Sequence, residues 1–299
     1  MAASLLDPRK EFRILLGSLA VLIVNYYRSQ RHSAACHNIP MDDREAGRYW
    51  DENAASWIHL STRGYDRYRD LLNTPAFFDL LPDVEGLSGL DIGSGDGHNT
   101  RLLGERGARM SAVDVSETFV RYSSGQTGGI RFSIASAQAL PFADGTFDFA
   151  TAIMSLMDIP RPEQGVLEAA RILKPGGFLQ YSILHPCTNP PYRRLLRNLQ
   201  REAYAIEIGQ YFENIDGQID EFLFSGAPKE AKVGLRPFRI PRFHRTLAEW
   251  LNMTIDAGLR IERVTEPHAT RELAEREPFI ADTRVGPYFL HVRSRKAYP

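Results

Sequence analysis

Asp91-Ile92-Gly93-Ser94-Gly95-Asp96-Gly97 places an acid and three alternating glycines between an apolar run and a stretch of helical pattern. Glycine lets a backbone approach a ligand or take positive φ, both of which a β-carbon blocks. Amides at the head of the following helix then offer a polar cradle. A dinucleotide fingerprint wants a further glycine at position 98, where His98 stands. Asp91 is also foreign to that fingerprint and suits a ligand with an ammonium group. An ordinary tight turn is the plain alternative. Further on, Arg109 to Val115 reads as a second strand ending in Asp114. A carboxylate at the tip of a neighbouring parallel strand can accept two hydrogen bonds from ribose hydroxyls. A helix N-cap at Asp114 or Ser116 is compatible with that role.

Two more motifs follow in order: Ala139-Leu140-Pro141-Phe142-Ala143-Asp144-Gly145-Thr146-Phe147-Asp148, then Leu173-Lys174-Pro175-Gly176-Gly177. With these the chain resembles the class I S-adenosylmethionine (SAM) dependent methyltransferases, in particular the type 11 group acting on small molecules. The resemblance implies SAM as cofactor and a small-molecule acceptor; no nucleic-acid partner is expected, and no metal site is apparent in the sequence. It implies cofactor contacts from Asp91, Gly93, Ser94, Gly95, Gly97, Asp114, Val115, Ser136, Ala137 and Met154. Ser136 departs from the pattern, standing where an acid often binds the adenine amino group. Three rivals stay open: a non-catalytic SAM-binding or regulatory protein, a methyltransferase acting on a protein or nucleic-acid nitrogen, and a nicotinamide oxidoreductase, which His98 and Lys174-Pro175-Gly176-Gly177 disfavour. The second is raised by Asn189-Pro190-Pro191-Tyr192, which in nitrogen-modifying enzymes follows the fourth strand. Here it lies beyond the fifth and reads better as a proline-rich turn.

Methyl transfer needs a nucleophile held in line and kept from water, and a base when the acceptor must lose a proton. His185 is the candidate catalytic base, because it leaves the fifth strand at the edge where open α/β sheets place ligands. It equally suits a backbone hydrogen bond. Asp158 is a candidate acceptor contact or a helix cap. Arg236, Arg239, Arg242 and Arg245 recur every third residue, with Pro237 and Pro241 forbidding a regular helix. Arg239 and Arg242 are candidates for an anionic group on the acceptor, or part of a strip of internal ion pairs. Trp50 and Tyr65 are candidate acceptor contacts or packing anchors.

The elements that must position these groups alternate. Strands are expected near 88–92, 109–114, 130–134, 147–154, 177–184, 259–266 and 287–295, with helices between. That rhythm predicts a doubly wound α/β fold with a mostly parallel, seven-stranded sheet. Residues 41–85 read as a helical cap, 86–185 as the SAM-binding core, 186–245 as an inserted lid and 246–299 as the rest of the core. Thr246 is expected to cap a helix that Gly258 stops. A net charge of -1 over 299 residues argues against a bulk nucleic-acid binder, and two cysteines exclude a disulfide framework. A cytoplasmic setting follows. The apolar run Ile14 to Val24, within 12–27, is too short for the roughly twenty residues a span requires. Residues 1–40 are expected to be a dispensable or untranslated leader, with weak membrane anchoring or a signal peptide as alternatives.

Overall fold

The computed structural model describes residues 41–126 and 128–298. The expectations for a leader over 1–40 and membrane contact over 12–27 lie outside the described residues. No helix among those described is long and apolar enough to cross a membrane.

Helix α1 (Asp43–Ser61) opens at Asp42, whose carboxylate accepts the Glu45 amide at 2.8 Å. A π-helical turn (Arg69–Asn73) runs into α2 (Thr74–Leu80). Strands and helices then alternate: β1 (Ser88–Ile92), α3 (His98–Glu105), β2 (Arg109–Asp114), α4 (Glu117–Ser124), β3 (Arg131–Ile134), β4 (Phe147–Ile153), α5 (Pro162–Ile172) and β5 (Leu173–Leu184). An insert follows, holding β6 (Tyr192–Arg197), β7 (Ala203–Gly209), β8 (Ile215–Phe222), the short α6 (Lys229–Lys232) and β9 (Phe238–His244). The chain returns to the core with α7 (Leu247–Asp256), β10 (Leu259–Thr265), α8 (Arg271–Arg276) and β11 (Phe289–Lys296).

Seven strands form one sheet in the order β10-β11-β5-β4-β1-β2-β3, parallel except that β11 runs against both its neighbours. Apolar clusters cover both faces. Val166, Ala169 and Ile172 of α5 and Trp250 of α7 pack on one, while Phe77, Phe78 and Leu103 from α2 and α3 pack on the other. This is the doubly wound sheet that the alternating pattern requires. Gly89 in β1 is where a side chain cannot fit, since the Phe149 ring of β4 occupies the space a β-carbon would need. Helix α7 begins with a capping box between Thr246 and Glu249, as expected, and Gly258 follows it at a φ of 77°.

The segment expected as an inserted lid carries strands of its own. It holds two antiparallel pairs, β6 with β7 and β8 with β9. In β9, buried Phe238 and Ile240 flank exposed Arg239, a two-residue period hidden by the arginine spacing of three. Pro241 is tolerated because a two-stranded ribbon leaves one edge of each strand unpaired.

His291 of β11 is fully buried, with Nε2 2.8 Å from Asn73 Oδ1. Asn73 Oδ1 accepts, so the proton lies on Nε2. Burial pushes the imidazole pKa down to about 4. As pH falls, the unfolded chain therefore takes up this proton before the folded protein does. Stability present above pH 6.5 should decline down to about 4, by about 3 kcal/mol from this residue. His291→Gln keeps a donor but cannot titrate. Urea unfolding at pH 7 and 4 should show the wild-type-minus-variant difference shifting by that amount, and a constant difference would contradict the account.

Candidate active site

The strand order reverses between β1 and β4, the switch point at which open α/β sheets bind ligands. Gly93, Gly95 and Gly97 follow β1 with φ of 73°, 53° and 73°. A β-carbon on Gly93 would collide with the side chain of Ser155 beyond β4. Ser155 Oγ in turn donates to Ile92 O at 2.6 Å, tying the two strand ends together.

The loop's hydrogen bonds run opposite to a phosphate cradle. Gly93 and Ser94 N–H donate to Val113 O, at 2.8 and 3.1 Å, and Gly97 N–H donates to Ser94 O at 2.9 Å. Gly95 N–H donates to Asp114 Oδ2 at 2.8 Å. With these amides turned into the fold, the loop is poorly suited to an anion.

Asp114 is buried at the end of β2, and Oδ1 also accepts Ser116 N–H at 2.9 Å. Burial pushes its pKa up to about 6, against the pull of those donors. Each oxygen keeps a further lone pair for a ligand hydroxyl. Asp91 departs from its expected role. It is 2% exposed, and its oxygens accept from Thr100 Oγ1 at 2.5 Å and Thr151 Oγ1 at 2.9 Å. It braces α3 against β4 beneath the loop instead of facing an ammonium group. Met154, just past β4, holds a φ of 57° while its N–H donates to Ser182 O at 2.9 Å. A bulky residue in that region is strained, a condition that clusters at functional sites.

Helix α1 crosses this edge and is fastened along its length. Asp43 bonds the Gln138 side chain, and Asp51 accepts from Ser116 Oγ at 2.6 Å and Thr118 N–H at 2.9 Å. Between them Gly47 lies against Val115, where a β-carbon would come within 2.7 Å. Gln138 also accepts from Arg161 Nε at 3.0 Å, and its N–H donates to Ser136 Oγ at 3.0 Å. Ser136 thus shapes the turn that carries Ala137. At the other end, Ser61 Oγ donates to Asp96 Oδ2 at 2.6 Å, and Arg69 lies 3.3 Å from the same carboxylate. Sequence reasoning missed Asp96 and Arg69, because nothing near Arg69 marks it as a partner of the glycine loop.

The expected acceptor contacts separate into two sets. Trp50 packs edge-on against Trp57, in a cluster with Tyr65, Phe224 and Phe238 that joins α1 to the insert. Arg239 and Arg242 are also engaged elsewhere: they pair with Glu221 and Asp220 of β8 at 3.4 and 3.1 Å, and Arg245 pairs with Asp216 at 2.7 Å. The structure thus shows them in ion pairs within the β8–β9 ribbon, one of the two arrangements left open by the sequence. His185 is 1% exposed, with Nδ1 accepting Cys187 N–H at 3.2 Å and Nε2 2.8 Å from Glu266 Oε1, off the line of a good hydrogen bond. Its basic lone pair is taken by the turn that follows β5. Asp158 remains apart, at the end of a 3₁₀ turn (Leu156–Asp158) beside Ser155.

Residues 90–180 match the family model described as a methyltransferase domain. The chain is 32% identical over 186 residues to an O-methyltransferase, cnsE, of Penicillium expansum, covering 54% of this chain and 67% of that one. The chain belongs to the SAM-dependent methyltransferases. A demethylmenaquinone methyltransferase of Renibacterium salmoninarum is 30% identical over 150 residues, 48% of this chain and 63% of that one, so the match spans less than two thirds of that relative. The crystal structure of a SAM-dependent methyltransferase from Mesorhizobium loti superposes with a TM-score of 0.61 at 25% identity, covering 74% of this chain and 96% of that one.

SAM, the cofactor of this methyltransferase family, fits the residues present. Ser94 Oγ is buried in the glycine loop without a hydrogen-bond partner. Beside it Asp114 has acceptor capacity for ribose hydroxyls, and the inward amides avoid repelling a cationic ligand. Asp114→Ala should weaken SAM binding tenfold or more. In the wild type, affinity should hold above about pH 6 and fall below it, as the carboxyl protonates and stops accepting. Titration calorimetry across pH checks both, and pH-independent binding unaffected by the substitution would contradict the assignment.

Proposed function

We propose that this protein transfers the SAM methyl group to a small organic acceptor held between the carboxyl edge of the sheet and the insert over residues 186–245, which acts as a lid. The observation that carries the cofactor side is the inward-turned glycine loop, with the unpartnered Ser94 hydroxyl and Asp114 beside it. Ser94 and Asp114 would hold SAM, together with the backbone near Val115 and Ala137, and Met154 would close the methyl side. When bound, SAM supplies a methyl group already activated by its sulfonium. The protein's task is then to fix the acceptor and exclude water. Helix α1 and β9 serve exclusion: Asn53 Nδ2 donates to Arg239 O at 2.8 Å and Arg239 N–H returns to Asn53 Oδ1 at 3.0 Å, closing cap onto insert.

The relatives' names, an O-methyltransferase and a demethylmenaquinone methyltransferase, support a small-molecule acceptor. The paired arginines argue for one that does not rely on a carboxylate or phosphate for binding. The Asn189–Tyr192 tetrapeptide is better read as a turn, since Pro190 O accepts from Arg242 Nη1 at 3.3 Å. The low cysteine count suits a cytoplasmic setting.

Incubation with methyl-labelled SAM and cell extract should release S-adenosylhomocysteine and label a low-molecular-mass product. SAM binding with no extract-dependent turnover would favour a regulatory protein instead. We further infer that His185 positions the turn after β5 and is not the base. His185→Asn, whose side-chain oxygen can accept the Cys187 amide, should keep turnover within a few-fold in the same assay. A loss of 10²-fold or more, the size of a general-base contribution, would restore His185 to catalysis.

A further inference from the structure

Strand β11 runs against β5, so its first residues stand at the carboxyl edge of the sheet, where Phe289 pairs with Leu184. The Tyr288 carbonyl, one residue earlier, accepts His185 N–H at 2.9 Å. The Tyr288 hydroxyl donates to Asp282 Oδ2 at 2.9 Å. Asp282 belongs to a 3₁₀ turn (Pro278–Arg284) and is 8% exposed. A second phenol, Tyr68, shares its proton between the same carboxylate's Oδ1 at 3.0 Å and Oδ2 at 2.9 Å. Tyr68 directly precedes the π-helical turn, whose Arg69 lies 3.3 Å from Asp96 of the glycine loop. Tyr68, Tyr288 and Met154 all pack on the apolar cluster of Leu72, Ile280 and Phe289. Met154 follows β4, two strands from β11, and strand spacing sets its backbone about 10 Å from that of Tyr288. Ile206 of β7 leans on the same stretch, where a β-carbon on Gly286 would come within 2.8 Å of it. The network therefore lies between the cap, the carboxyl edge and the insert.

Two phenols and one carboxylate have two protons to offer, and both are spent inside the network. Burial and the neighbouring carboxylate push both phenol pKa values upward, so both stay protonated. What remains is accepting capacity. Among the described residues only the shared Tyr68 proton reaches Oδ1, and each phenol oxygen keeps its own lone pairs. Positive charge is sparse here. Arg197 of β6 is 3.9 Å from Oδ2 and 48% exposed, and its Nη1 donates to Arg201 O at 2.9 Å. Arg193 of the same strand is exposed and donates to Thr188 O at 3.4 Å. Neither hydrogen-bonds the carboxylate. Burying a carboxylate against two neutral phenols costs more than an apolar contact of the same shape, so fastening the cap to the edge does not by itself call for it.

We propose that Asp282, framed by Tyr68 and Tyr288, recognises the acceptor, and that it reads a hydrogen-bond donor, a hydroxyl or an ammonium group, remote from the methylated atom. The proposal rests on the methyl-transfer reading above. Tyr68 and Tyr288 are positioning residues, which fix the plane of the carboxylate and leave Oδ1 to the ligand. A carboxylate or phosphate at this point would be repelled. An ether or ketone would set its own lone pairs against those of Oδ1 and leave them unmet. The distance to Met154 calls for an acceptor whose donor and methylated atom are about 10 Å apart or less.

Four naphthalene probes, titrated against the full chain saturated with S-adenosylhomocysteine, test this. 2-Naphthol and 2-(aminomethyl)naphthalene carry the donor, 2-methoxynaphthalene lacks it, and 2-naphthoate puts an anion in its place. In wild type the naphthol, the amine or both should bind about tenfold or more tighter than the ether, with naphthoate weakest. The tighter of the two donors then names the group that is read. Asp282→Asn keeps the side chain's shape but turns one oxygen into a donor. Its preference should fall to within about threefold, with S-adenosylhomocysteine binding unchanged. Arg197→Gln, on the exposed ribbon, leaves the buried network untouched and keeps the test decisive where Asp282→Asn does not fold. Loss of that competing cation should tighten the amine about threefold and leave the ether as it was. Donors bound no better than the ether, no probe bound at all, a preference kept in Asp282→Asn, or amine binding unmoved by Arg197→Gln would each overturn the proposal. A wild type that fails to bind S-adenosylhomocysteine would instead defeat the methyltransferase reading beneath it.

Discussion

A carboxylate buried at the tip of β2 must be met by donors, and the arrangement around Asp114 follows from that need. Burying it without partners would cost several kcal/mol, so backbone amides are drawn to it. Gly95 supplies one and Ser116 the other, which fixes the glycine turn after β1 against the turn after β2. Bending Gly95 toward Asp114 requires positive φ, and Gly93 must also come tight against Ser155. The same contacts leave Asp114 able to accept hydroxyl donors from a ligand. The group that organises the loop is thereby the one we propose to read the cofactor.

Helix α1 couples this loop to the rest of the crevice by polar contacts at intervals along its length, through Asp43, Asp51, Asn53 and Ser61. Its apolar stripe is narrow, with Trp50 and Trp57 meeting Phe224 and Phe238 of the insert. Such an element is held by separable hydrogen bonds more than by a deep core, and belongs to the part of a fold that opens at lower free energy than the central strands. Within the insert, arginines of β9 pair with acids of β8, beside the apolar cluster of Phe224, Phe238 and Ile240.

The sheet was legible in the sequence because buried parallel strands read as short apolar runs between turns, and all seven lie close to where the pattern placed them. The strands of the insert were not, because β6 to β9 are only half covered and their arginines mask the alternation. At the site, Asp114 and the glycines were legible from spacing. The direction of the loop amides was not, since sequence does not show whether an N–H meets a ligand or a carbonyl such as Val113 O. His185 and Asp158 illustrate the same limit. His185 directly follows β5 and Asp158 ends a 3₁₀ turn after β4, and only the structure shows that the histidine's Nδ1 is used by the Cys187 amide.

The central claim is that SAM lies on the loop after β1 and against Asp114, beneath α1. Hydrogen–deuterium exchange of the full chain with and without S-adenosylhomocysteine tests it most directly. Added ligand should slow exchange at residues 93–98, 114–118 and 136–138 and along α1, with little change in β6 and β7. Unaltered exchange across those segments at saturating ligand, or protection confined to the insert, would contradict it.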